Sequence, residues 1–280
     1  MPVARPRFLV RRTIRSLLAC GSLFALACQG SDAKSTPRTA DSGGKGALHA
    51  EESAGDVVIS SPGSAYTVAS VPGPGTVRGT VTFGATIAPD APTVPGKDAG
   101  VCGASIPDES ITPGGGGGNA VVWLDGVRAG KALPVDRRLE LESDHCRLIP
   151  RMQATVVGSA VNVLGHDDFR QHLRFVAGGD QQPRAVILLG RDEQVIPTEL
   201  PARTPGLVMV RDADHPWPRA YLAVFDHPYF VVTKADGAFV IDGVPAGKYT
   251  LRVWHERGKS FEKTVDVGGV VSVDVKLDAK

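Results

Sequence analysis

The stretch Lys248-Tyr249-Thr250-Leu251-Arg252-Val253-Trp254-His255 sets the fold class of this chain. Tyr249, Leu251 and Val253 alternate with Lys248, Thr250 and Arg252, a period of two that puts one face of a strand in a core and the other in water. Val271, Val273, Val275 and Leu277 alternate in the same way with Ser272, Asp274 and Lys276. His255 is in phase with the apolar face, so it is expected at the buried side, satisfied by a backbone carbonyl.

Working outward, short apolar or alternating runs recur at 76–83, 120–124, 138–142, 153–157, 160–164, 172–176, 184–189, 206–210, 220–225 and 229–233. Each is bounded by Gly, Pro or Asp, and none keeps a helical period. Many short strands at such spacing predict a sandwich or barrel. Asp236-Gly237, between Val232-Thr233 and Phe239-Val240, predicts a hairpin turn, because Gly takes the positive φ that such turns need. Gly243 to Gly247 predicts another reversal. The run Gly114 to Gly118 reads as a loose loop; it is no phosphate cradle, since no Gly-Lys-Ser/Thr follows it.

Composition agrees with this. Gly (33) and Pro (21) make up nearly a fifth of the 280 residues, which favours turns over long helices. Lys plus Arg (31) nearly equals Asp plus Glu (30), which argues against a nucleic-acid partner. Five of the basic residues are Arg5, Arg7, Arg11, Arg12 and Arg15. Without residues 1–28 the chain carries 26 basic and 30 acidic groups and is mildly acidic.

Those arginines precede a short apolar run, Ser16 to Ala27, and then Cys28. A basic segment, an apolar segment and small residues form an export signal. Ala25-Leu26-Ala27-Cys28 resembles a bacterial lipoprotein box, whose cysteine becomes the acylated first residue; Leu17-Leu18-Ala19-Cys20 is the alternative, with Arg15 leaving it little apolar sequence upstream. Lipidation at Cys28 predicts a chain anchored to a bacterial membrane on its periplasmic or cell-surface face. Residues 29–75, rich in Gly, Ser, Ala, Pro and Asp, read as a flexible linker.

Two cysteines remain, Cys102 and Cys146. In an exported chain they are expected to form a disulfide, worth about 4 kcal/mol on the chain-entropy model. The alternative is a metal-binding or nucleophilic cysteine. Cys102-Gly103-Ala104-Ser105 lacks the Cys-aromatic pair of a papain-type site.

Several further motifs carry a resemblance. They are Lys97-Asp98 with Val101-Cys102-Gly103, Ala120 to Leu124, Cys146 with Pro150, His172, His215-Pro216-Trp217, Asp226 to Phe230, Asp236 to Phe239, Val244 to Tyr249, and Val253 to Glu256. In this order, from about residue 76 to 280, they resemble exported bacterial cupredoxin-like proteins with a C-terminal carboxypeptidase regulatory-like segment. The resemblance implies an all-β chain: a cupredoxin-like Greek-key β-sandwich over 76–225, then a small transthyretin-like or carboxypeptidase-regulatory-like β-sandwich over 226–280. The signal peptide (1–28) and disordered linker (29–75) precede them.

The copper pattern implied by that family is degenerate here. A first His is followed by a Cys-x-x-His-x-x-Met loop that supplies thiolate, imidazole and thioether. His172 and His215 stand at the two histidine positions, but Asp212 stands at the cysteine position and Pro218 at the methionine position. The asparagine position, six before the first His, holds His166. Without a thiolate no soft ligand stabilises Cu(I), so electron transfer is not expected. His172, Asp212 and His215 remain as a set that could hold a divalent ion such as Cu(II) or Zn(II), with Asp214 and His166 in support.

Three functions follow. The leading expectation is a non-enzymatic, membrane-tethered extracytoplasmic module that binds an envelope protein or glycan through loops and needs no cofactor. The second is a copper- or zinc-binding cupredoxin relative. The third, an oxygenase or hydrolase on the two-His, one-carboxylate set, has no substrate signal behind it.

Overall fold

The alternation at 248–255 folds as a strand, and so do the other short apolar runs. The computed structural model describes residues 65–114 and 116–280. The expected signal peptide, Cys20, the expected lipidation site Cys28 and most of the expected linker lie outside the described residues.

In chain order the strands are β1 (Thr67–Val68), β2 (Gly75–Phe83), β3 (Val121–Asp125), β4 (Ala129–Gly130), β5 (Arg138–Asp144), β6 (Arg147–Ile149), β7 (Met152–Val156), β8 (Ala160–Gly165), β9 (Gln171–Ala177) and β10 (Ala185–Leu189). Then come β11 (Gln194–Val195), β12 (Gly206–Asp212), β13 (Arg219–Phe225), β14 (Phe230–Val232), β15 (Ala238–Val244), β16 (Gly247–Trp254), β17 (Phe261–Val267), β18 (Val270–Ser272) and β19 (Val275–Leu277). Among the described residues, helix is confined to a 3-10 turn, Gly96–Asp98, and the single turn α1 (Ala99–Cys102). The chain is all-β, as expected.

Four sheets build two sandwiches. One pairs the sheet β10-β9-β12-β13-β7 with the sheet β11-β8-β5-β6. Its core joins Leu141, Val163, Leu173, Phe175, Val210 and Leu222. The other pairs β14-β3-β16-β17 with β15-β2-β18, and β19 continues along β2. Val77, Val81, Leu124, Tyr229, Leu251 and Val275 meet in its core.

The pairing crosses the sequence boundary expected at 225/226. Strands β2 and β3 lie within 76–225, yet β2 pairs with β15, β18 and β19, and β3 pairs with β14 and β16. Along the chain, the sandwich of β5 to β13 is therefore inserted between β3 and β14 of the other. Its return is direct: only Asp226 to Tyr229 separate β13 from β14.

A third cluster joins the sandwiches back to back. Val121, Trp123 and Trp254 from one meet Met152, Leu207, Met209, Tyr221 and Phe225 from the other. Strands β3, β12 and β13 thus bury both faces, which is why their sequences are continuous apolar runs rather than alternating ones.

Several local expectations are revised. Part of the expected linker is ordered: β1 pairs with β4, and Tyr66 Oη donates to Lys131 O beside the core. Asp236-Gly237 makes a tight turn with Gly237 φ at +82°, but β14 and β15 join different sheets, so it is a crossover and not a hairpin. The expected strand over 271–277 is interrupted between β18 and β19, where Asp274 Oδ1 accepts from Thr80 N.

From Gly116 to Gly118 the glycine run is also tighter than a loose loop. A Cβ on Gly117 would stand 2.5 Å from Val81 O, and Gly117 O accepts from Thr233 Oγ1 at 2.7 Å. Gly118 O takes the Nε2 hydrogen of the fully buried His255 at 3.0 Å, while His255 Nδ1 accepts from Arg257 N at 3.0 Å. Two backbone partners fix the neutral Nε2–H tautomer, as the phase of residue 255 implied.

Candidate functional site

Antiparallel pairing of β9 with β12 brings the two halves of the candidate set together, with Asp212 opposite Leu173. His172 N donates to Asp212 Oδ1 at 3.0 Å, and Asp214 N donates to the same oxygen at 3.1 Å. Ala213 N returns a bond to His172 O at 2.9 Å. The loop after β12 is thereby pinned to the start of β9.

The side chains, however, separate into two pairs. His172 projects outward from β9, and its Nδ1 meets Asp214 Oδ2 at 2.5 Å with both groups about half exposed. His215 points inward. Its Nδ1 lies 2.5 Å from Asp212 Oδ2, and the Asp212 side chain is fully buried. His166 is exposed and lies 3.5 Å from Glu142, away from both.

Asp98, which belongs to the Lys97-Asp98 motif but was not among the candidate ligands, completes the site. The segment Gly96–Cys102 is tied down by the Cys102–Cys146 disulfide. Asp98 Oδ2 is thereby carried to 3.3 Å from His215 Nε2, buried and at an angle that makes no hydrogen bond. The disulfide is buttressed in turn. Both oxygens of buried Asp167 accept from Cys146 N at 3.1 Å, and one also accepts from Ser143 Oγ at 2.9 Å. Phe169 and Trp217 close the remaining sides of His215, with ring centroids at 4.7 and 5.2 Å, and both pack on the disulfide cluster.

The donor set does not fit a metal. Each nitrogen of His215 faces a carboxylate, Nδ1 of His172 is taken by Asp214, and both body cysteines are spent in the disulfide. Among the described residues, no three His, Cys, Asp or Glu side chains are placed to hold an ion. Of the two residues expected in support of the set, Asp214 bonds His172, whereas His166 pairs with Glu142.

Beside this cluster opens a polar cleft of about 430 Å³, whose lining includes Trp217, Arg151, Glu256 and Arg257. Arg151 grips Glu256 through two bonds, at 2.6 and 2.8 Å. Arg257 holds Ser110 Oγ at 2.8 Å, Asp108 at 3.2 Å and Asp90 at 3.0 Å. Burial acts to raise the Asp108 carboxyl. The Ser110 hydroxyl, the amides of Asp90 and Ser110, and the Arg151 charge outweigh it and hold the group below the usual carboxylate range.

With this geometry in place, the likenesses to other proteins are limited in reach. Residues 207–278 match the carboxypeptidase regulatory-like domain family, a segment that begins in β12. No curated protein matches the chain. Among solved structures, a copper-containing nitrite reductase from Thermus scotoductus SA-01 is 20% identical over 37% of this chain, with a TM-score of 0.28; the overlap spans 24% of the reductase. Amicyanin from Paracoccus versutus is 14% identical over 33% of this chain and 84% of its own, also at 0.28. The strand pairings above, not these overlaps, carry the fold description. No helix among the described residues is long and apolar enough to cross a membrane.

Proposed function

We propose that this chain is a non-enzymatic binding module, held by a lipid anchor at Cys28 on the outer side of a bacterial membrane. In this reading a cupredoxin-like sandwich has exchanged a copper centre for a structural lock and is inserted into a regulatory-like sandwich. The observation that carries it is the enclosure of His215: Asp212 at one nitrogen, Asp98 at the other, and Phe169 and Trp217 around the ring. An imidazole so enclosed organises loops and offers no open coordination position, and no nucleophile and base are paired around it. The match of residues 207–278 to a regulatory-like domain supports the same reading. The test is saturable binding of the full-length chain to isolated bacterial envelopes that lack it. The expected result is retention that unlabelled protein displaces; no displaceable retention would overturn the proposal.

The second reading, a Cu(II) or Zn(II) site at His172, Asp212 and His215, draws on one observation: Asp98 Oδ2 is buried without a hydrogen bond. Zn(II) that raised the melting temperature by several degrees, and lost that effect in His215→Ala, would establish it.

A further inference from the structure

The cleft beside Trp217 has a chemical character that narrows its ligand. Its acidic residues are Asp90, Asp108, Glu109 and Glu256. Its basic residues are Arg151, Arg219, Arg257 and Lys280. Four acidic and four basic residues line the cleft, so neither sign of charged residue is in excess there. Five of these eight are also spent on one another, Arg151 on Glu256 and Arg257 on Asp90 and Asp108, while Glu109 pairs with Arg147 outside the lining. Such pairs are held rigidly and keep hydrogen-bonding edges for a neutral guest. Each carboxylate oxygen has a second lone pair, and each guanidinium has more N–H groups than one partner uses.

A guest that both donates and accepts at closely spaced points suits this lining, and hydroxyl groups do both. Trp217 adds an indole against which an apolar C–H face can lie, and His215 and the disulfide cluster fix that ring in place. The volume is in the range of small-ligand sites, about 300–1,000 Å³. We infer that the cleft walled by Trp217, Arg151, Glu256 and Arg257 binds a neutral saccharide, as the terminus or a short stretch of an envelope glycan. This rests on the binding-module reading above and gives it a site and a ligand class. It also gives the lock a purpose: His215 acts as a positioning residue for Trp217.

The test is binding of the full-length chain, in detergent, to an array of neutral glucan, mannan, galactan and xylan oligosaccharides alongside uronate-bearing ones. Ala91 is exposed on the cleft wall, so Ala91→Trp fills the cleft without removing a structural contact. Neutral probes are expected to bind, to weaken about tenfold in Trp217→Ala, and to be lost in Ala91→Trp, whose melting temperature stays at the parent value. Binding to none of the neutral probes, binding to uronates alone, or binding indifferent to Ala91→Trp overturns the inference. Envelope retention separates the two claims. Displaceable retention that survives Ala91→Trp leaves the binding module standing and removes the saccharide cleft. An absence of retention, with neutral probes still bound and blocked by Ala91→Trp, removes the envelope reading and leaves the cleft.

Discussion

Two histidines that sequence reasoning placed in one set behave oppositely because of what surrounds them. His172 and Asp214 are about half exposed, so their pair contributes little, and His172→Ala is expected to change stability by less than about 0.5 kcal/mol. Asp212 is buried between His215 and two backbone amides, so Asp212→Ala strands a buried imidazole and two donors. A loss of about 3 kcal/mol in urea unfolding is expected. Equal effects from the two substitutions would contradict the assignment of roles. Histidines 172 and 215 and Asp212 were legible through the resemblance to the copper-ligand pattern. Asp98 was legible as part of a motif but not as a neighbour of His215, since it lies 114 positions from Asp212 and only the folded chain brings the two together.

His255 sets a pH dependence. Burial is the first cause of its lowered pKa, and burial also lowers His227. A histidine with a depressed folded pKa binds its proton more readily in the unfolded chain. Stability is therefore complete above the ordinary value of 6.5 and falls as the pH drops through and below it. Urea midpoints measured from pH 7.5 to 5 are expected to decline, and His255→Asn should flatten part of that decline. A midpoint rising toward pH 5 would refute the neutral assignment.

At the scale of elements, strand existence was legible and strand partnership was not. Period-2 alternation announces that one face is buried, as in β16, but it does not name the neighbour. Adjacent runs such as β14 and β15 read as a hairpin because the turn chemistry of Asp236-Gly237 is the same whether the chain reverses in one sheet or crosses to another. The glycine run misled for a related reason: glycine signals freedom in sequence, but at Gly116 to Gly118 it permits close backbone packing. Gly117→Ala places a Cβ against Val81 O in β2 and is expected to cost about 2 kcal/mol, read as a lowered melting temperature. A neutral result would show that β2 and the glycine run can move apart.

For the whole molecule, the insertion of one sandwich into the other has a direct consequence. Segment 226–280 contains β14 to β19 but neither β2 nor β3, and these two are interior strands of its two sheets. Expressed alone it is expected to lack dispersed NMR signals, and adding residues 65–125 in trans should restore them in part. A well-dispersed spectrum from 226–280 by itself would argue for the independent domain that the linear sequence suggested. The boundary was illegible because hydrophobic pattern is local, whereas β2 meets β15 across some 160 positions.

The central claim is that His215 serves as an internal lock and not as a metal ligand. Electron paramagnetic resonance of the full-length chain with one equivalent of Cu(II) tests it most directly. We predict a spectrum unchanged by His215→Ala and no intense visible band, because Asp212 holds one ring nitrogen, Asp98, Phe169 and Trp217 enclose the rest, and both body cysteines are paired. Nitrogen hyperfine structure that disappears in His215→Ala would contradict the account.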